Sequence, residues 1–224
     1  MKTSFANKPG NEIHLWRQDL DNIWTNRKLS CPHGEGLKLA DIDSDLDMDI
    51  VIGGIWYENP TDILEKEWIA HPFTDWHMDA SIAAADINGD GFLDVILSPA
   101  ELKSNFYKLC WFQAPSDPKT GKWVEHIVQE KIECVVHGLQ AADMNGDGAI
   151  DIIFSQMHQG EDPDEVAIYF NINNGSKWEK QVLSTKGSHL IQVADFAHDG
   201  DMDIIGANHG GEYQAIEFWE NLRK

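Results

Sequence analysis

The sequence predicts an all-β fold, a β-propeller of four-stranded antiparallel blades. Three observations predict it: an acidic nine-residue segment recurs four times, short apolar runs flank it each time, and aromatic and tryptophan-led runs follow. The acidic segments are Asp41 to Asp49, Asp86 to Asp94, Asp143 to Asp151 and Asp195 to Asp203, with starts 45, 57 and 52 residues apart. Steps of that size suit one supersecondary unit repeated as a blade.

Each element of the unit reads in order. Leu37 to Ala40, Ile82 to Ala85, Leu139 to Ala142 and Leu190 to Ala194 are apolar first strands leading into the acidic turns, and Ile50 to Ile52, Val95 to Leu97, Ile152 to Phe154 and Ile204 to Ile205 are second strands leaving them. Third strands carry the aromatic runs at Trp56-Tyr57, Trp111-Phe112, Tyr169-Phe170 and Phe218-Trp219. Fourth strands open with Trp68, Trp123 and Trp178. Ile13 to Gln18 and Trp24 to Leu29 resemble a third and a fourth strand out of phase, while the last repeat stops after its third strand. Joining the ends by strand complementation would hide open sheet edges. The expected organisation is a single domain over 1–224, with repeats around 37–72, 82–130, 139–184 and 190–222 and closing strands within 11–30. Four blades from one chain, part of a larger ring, and a ring of two chains all remain open.

Composition bounds the partners. At 224 residues, 42% hydrophobic, the chain can bury a core and is not intrinsically disordered. A formal charge of −21 repels phosphate backbones and anionic lipid, which excludes nucleic acid and membrane insertion as expectations. The first fifteen residues show no secretory signal pattern. Cys31, Cys110 and Cys134 are too few for a disulfide framework and lack zinc-site spacing.

The acidic turns have the spacing of cation cages. Oxygen donors at positions 1, 3, 5 and 9, with glycine at position 6 for the tight turn, can wrap a hard cation of calcium size. The second and third turns meet every requirement through Asp86, Asn88, Asp90, Asp94 and Asp143, Asn145, Asp147, Asp151. The first offers Asp41, Asp43, Asp45 and Asp49 but has Leu46 at position 6; the fourth keeps Asp195, Asp199 and Asp203 but has Ala197 at position 3. Two to four structural Ca²⁺ sites are expected, against the alternative of plain soluble turns.

Asp86-Ile87-Asn88-Gly89-Asp90-Gly91-Phe92-Leu93-Asp94, its counterpart at Asp143, and Trp56-Tyr57-Glu58-Asn59-Pro60 resemble the FG-GAP or VCBS repeat family of calcium-binding β-propellers. The resemblance implies a propeller with calcium loops between first and second strands and an exported, extracellular or periplasmic setting. It also implies a function among adhesion proteins, lectins, polysaccharide lyases and sugar dehydratases.

Histidine supplies a second theme. His33, His77, His137 and His189 come shortly before first strands, and His158 and His209 just after second strands, so antiparallel pairing gathers all six on the face opposite the acidic turns. Candidates for catalysis or for a transition metal such as zinc or manganese are His137, His158, His189 and His209, with Tyr213 beside them. Candidates for ligand contact are His33, His77, Glu212 and Trp76, whose ring would stack on a sugar or cover the core. The expected function is a carbohydrate- or glycoprotein-binding, adhesive module. A carbohydrate lyase or dehydratase, and a scaffold that forms homo-oligomers, are the alternatives.

Overall fold

The computed structural model describes residues 11–32, 35–76 and 79–223. Every regular element among them is a strand. Blade one is built from β3 (Lys38–Ala40), β4 (Asp49–Ile52), β5 (Ile55–Glu58) and β6 (Ile69–Pro72). Blade two is built from β7 (Ala80–Ala85), β8 (Asp94–Pro99), β9 (Leu102–Gln113) and β10 (Val124–Cys134), and blade three from β11 (Val136–Ala142), β12 (Asp151–Gln156), β13 (Val166–Asn171) and β14 (Trp178–Ser184). Each is a four-stranded antiparallel meander in sequence order. A fourth, three-stranded blade holds β15 (Leu190–Ala194), β16 (Asp203–Ala207) and β17 (Ile216–Trp219). The first strands β3, β7, β11 and β15 stand side by side, which makes them the inner strands of the array.

The second strands show why blades stack. Ile152 and Phe154 of β12 face blade two, packing with Ile96 and Trp111, while Ile153 between them faces blade four, packing with Ile191 and Ile204. Alternate residues of one strand thus fill two different interblade cores, so Ile50 to Ile52, Val95 to Leu97 and Ile152 to Phe154 read as unbroken apolar runs within β4, β8 and β12, strands buried at every position.

The ends do not meet as expected. β1 (Glu12–Gln18) and β2 (Trp24–Ser30) pair with each other and not with β17. Their inward residues Ile13 and Leu29 pack instead on Ile50, Ile52 and Tyr57 of blade one. Among the described residues strand complementation is therefore not formed. The pattern of β1 and β2, third- and fourth-strand-like, places them where the outer half of a preceding blade would lie, and burying Ile13 and Leu29 against blade one satisfies that pattern.

All four acidic turns share one backbone path. Positions 4 and 6 have positive φ in every repeat: Ser44 and Leu46, Gly89 and Gly91, Gly146 and Gly148, His198 and Gly200. Leu46 adopts φ 76° with its side chain fully in solvent, so the repeat imposes a left-handed conformation on a residue that gains nothing from burial there. Replacing it by the glycine of the other repeats, Leu46→Gly, should stabilise the protein by about 1 kcal/mol. Urea unfolding of the two proteins checks this; equal or lower stability of the variant would mean that the turn is not strained.

Candidate functional site

The two ends of the inner strands carry opposite chemistry. On one face lie the acidic turns, whose last carboxylates are wholly buried: Asp49, Asp94, Asp151 and Asp203 are each 0% exposed. Each accepts two backbone N–H bonds from equivalent places, and Asp203 a third from Ala197. One comes from position 2 of its own turn (Ile42, Ile87, Met144, Phe196), at 2.8–3.0 Å. The other comes from the residue one or two positions past the third strand's aromatic pair (Asn59, Ala114, Asn171, Asn221), at 2.8–2.9 Å. A single carboxylate therefore ties turn to third strand in every blade. Burial pushes the Asp49 carboxyl up to about 6 and the Asp94 carboxyl up to about 7, against the two amides that favour the anion. In Asp203 the Asn221 amide prevails and holds the carboxyl low.

The first carboxylate of each turn has a different duty. Asp86 accepts from the N–H groups of Gly89, Asp90 and Gly91 at 2.8–3.1 Å, curling the turn around itself, and Asp41, Asp143 and Asp195 do the same with fewer partners. Asp41, Asp43 and Asp49 bring one oxygen each within 4.8 Å of one another. Beside them the buried Oδ1 of Asp47 accepts no hydrogen bond among the described residues, and burial together with Asp45, Asp43 and Asp41 raises that carboxyl. Such an orphaned oxygen facing neighbouring carboxylates fits a hard cation. Asn88 and Asn145 donate to Asp90 and Asp147 at 2.8 and 2.9 Å, so in the second and third turns positions 3 and 5 also converge. Two basic residues already reach this face. Lys119 contacts Asp43 and Glu58, both at 2.7 Å, and Arg223 lies against Gly146 with its Nε 3.7 Å from Asp201.

On the opposite face the imidazoles do gather. His137 at the start of β11 and His189 before β15 have ring centres 4.7 Å apart; His189 and His209 are 4.2 Å apart, and His209 and His158 5.8 Å. His33 and His77 lie outside the described residues. The loop that carries His158 is pinned by Glu133, 2% exposed, which accepts the N–H of Glu161 and Asp162. Burial lowers the pKa of His137, against the pull of Glu101, and burial plus the neighbouring imidazoles lowers that of His189. Buried nitrogens of His158 and His189, both Nδ1, have no hydrogen-bond partner among the described residues.

Two carboxylates join this cluster that residue-type reading of the sequence did not single out. Glu101 Oε1 lies 2.7 Å from His137 Nε2. Glu35 is pushed up to about 7, first by burial and then by Glu101 and Asp79. A signal was present in the repeat phase. Glu35, His137 and His189 each stand six residues ahead of the first aspartate of their own turn, and Glu101 and His158 each stand seven residues past the last one. Gly36 makes the Glu35 position reachable, because a Cβ there would sit 1.6 Å from the Ala80 carbonyl oxygen.

Two expected contributors are placed elsewhere. Trp76 is 3% exposed and packs edge-on against Tyr107, so it covers the core and offers no face for stacking. The Tyr213 hydroxyl donates to Glu217 Oε1 at 2.7 Å, with Lys186 over its ring, and among the described residues it contacts no imidazole. Glu212 is exposed in the same loop. His71 and His126 are explained by packing, stacked on Trp56 and Trp111 at 4.3 and 4.2 Å. Cys31, Cys110 and Cys134 are buried and form no disulfide among the described residues.

An array of four-stranded antiparallel blades with acidic turns on one face defines a propeller-type repeat protein. The family model of the FG-GAP-like repeat matches residues 136–206, which are blade three with the first two strands of blade four, both of their acidic turns, and His137, His158 and His189. The chain thus carries FG-GAP-like repeat sequence, a kind that points to a propeller-like binding or adhesive module and is typical of extracellular proteins. No curated protein matches the sequence. Among the described residues no helix is long and apolar enough to cross a membrane.

The two kinds of acidic-turn carboxylate separate in a mutational test. Asp94→Asn replaces one amide acceptor by a donor in a fully buried site and should cost about 1–3 kcal/mol in calcium-free urea unfolding, whereas the exposed Asp90→Asn should change stability there by less than about 0.5 kcal/mol. Similar losses in both would refute the division of labour. Because the folded state holds the Asp94 proton up to about 7 while the unfolded chain releases it near the ordinary aspartate value of 3.8, this carboxyl's contribution to stability is complete below about pH 4 and is lost as pH rises through about 7. A carbon-detected NMR titration of the calcium-free protein should place the Asp94 midpoint well above that of a free aspartate; an unshifted midpoint contradicts the burial argument.

Proposed function

We propose that this protein is a calcium-stabilised propeller module that binds carbohydrate on its imidazole-bearing face. The observation that carries the reading is the convergence of polar groups from four blades, Glu35, Glu101, His137, His189 and His209, around the starts of adjacent inner strands. Donors and acceptors held by separate rigid strands suit a polyhydroxylated ligand, which asks for many fixed hydrogen bonds and little apolar area. With Trp76 in the core, recognition there would depend on hydrogen bonds and charge more than on ring stacking. Calcium in the acidic turns is supported by the orphaned Asp47 oxygen and by the like charges crowded at Asp41, Asp43 and Asp45.

A second reading has its own support. His137 and His189 are held toward the neutral form while Glu35 is held toward the protonated form, and groups pushed apart in this way are suited to acid and base roles. On that reading a neutral imidazole removes the proton beside the carboxylate of a sugar acid, as a lyase or dehydratase requires.

Calorimetry with neutral and uronate-containing oligosaccharides in calcium buffer tests the first reading. His189→Ala should weaken binding at least tenfold, about 1.4 kcal/mol, with the fold intact. Absence of binding to any oligosaccharide would sink it, while formation of an unsaturated product from a uronate substrate would install the second. For calcium, excess EGTA should lower the melting temperature by about 2–4 °C per kcal/mol of lost binding energy, and an unchanged melting curve would remove the ion from the account.

A further inference from the structure

The imidazole-bearing face holds a smaller constellation that an oligosaccharide site does not require. Glu35, Glu101 and His137 each offer one ligand atom, and the three atoms lie within 4.8 Å of one another. They come from three blades: Glu35 enters β3, Glu101 leaves β8, and His137 lies in β11. An ordinary carboxylate–imidazole pair accounts for Glu101 and His137, at 2.7 Å. It does not account for Glu35, a second carboxylate brought into the repulsion of Glu101 and Asp79 and fixed there by the close approach of Gly36 to the Ala80 backbone. Nor does it account for His189, whose ring centre is 4.7 Å from that of His137 and whose buried Nδ1 has no hydrogen-bond partner among the described residues.

We propose that Glu35, Glu101 and His137 form a three-ligand site for a divalent transition-metal ion, with zinc the best match, and that His189 stands next to its open coordination position. The donor set decides the metal class. Two carboxylates and an imidazole are common zinc ligands with bonds of about 2.0–2.2 Å, while calcium takes six to eight oxygens and has no use for the nitrogen. Three protein ligands and a free position are the arrangement of zinc sites that meet a further molecule, in contrast to closed structural sites. A dication would offset the mutual repulsion of Glu35, Glu101 and Asp79 and join blades one, two and three on the face that lacks the acidic turns. This inference goes beyond carbohydrate recognition and does not depend on it.

Zinc titration by calorimetry of the full chain, kept saturated with calcium so that the acidic turns are filled, tests the site. One Zn²⁺ per chain is expected, with affinity lowered at least tenfold in Glu101→Gln and in His137→Ala and unchanged in His14→Ala, which removes an exposed imidazole paired with Glu12. Should either site variant fail to fold, imidazole nitrogen NMR of the unaltered protein decides: zinc must shift the Nε2 signal of His137. No stoichiometric binding, loss of binding in His14→Ala, or shifts confined to His158 and His209 would each overturn the proposal. Oligosaccharide binding measured in zinc-free calcium buffer keeps the two readings apart, because its persistence without zinc binding sinks only the metal site.

Discussion

A buried carboxylate that accepts two backbone amides is the constraint on which each blade depends. Asp49, Asp94, Asp151 and Asp203 close the acidic turn at one amide and anchor the exit of the third strand at the other. Leaving either amide unsatisfied in such a dry place costs more than the bond gains in water, so the register of three strands is set by one side chain. The turn can then vary in position 3 or 6, as it does at Ala197 and Leu46, without altering the blade. The shared left-handed backbone at those turns follows from the same anchor, since both ends of the loop are fixed.

Joining one blade to the next uses a second, less uniform device. Asn171 donates from blade three to the Ile87 carbonyl of blade two, and Asn221 from blade four to the Met144 carbonyl of blade three, both at 2.8 Å. Blade two has Ala114 at that place and no amide to give. There Lys119 reaches back instead to Asp43 and Glu58 of blade one. The neutral clamp is buried or half-buried and insensitive to salt, while the ammonium lies in a cluster of carboxylates, where it does part of what a bound cation would do.

Much of this was legible from residues. Strand order, blade boundaries and turns followed from period, alternation and the acidic spacing, and the gathering of His137, His158, His189 and His209 followed from their places at strand starts and ends. Trp76 was left open between stacking on a sugar and covering the core, because its loop position said nothing of Tyr107, which arrives from the long strand β9. Tyr213 was misplaced because a partner four residues away, Glu217, outcompetes any distant imidazole. Lys119 could not be read at all, since it sits in the irregular stretch between third and fourth strands. Glu35 and Glu101 were readable by repeat phase and overlooked by residue type: each occupies a slot that histidine fills in another blade.

That exchange of glutamate for histidine at equivalent slots has a consequence for how the molecule diverged in chemistry between its faces. On the acidic face the first and last aspartates of the turn recur in all four repeats, and the amide bonds they accept explain why a change at those two positions breaks the blade. At the opposite ends of the same strands the equivalent slots hold Glu35, Ala80, His137 and His189 in turn, and among the described residues none of these four side chains accepts a backbone amide. Free of a folding duty, these positions can differ among blades, and unlike residues brought into contact by a repeated scaffold make an asymmetric cluster from a symmetric frame. Carboxylates from blades one and two thereby meet imidazoles from blades three and four, which is the composition that a site with distinct acidic and basic halves requires.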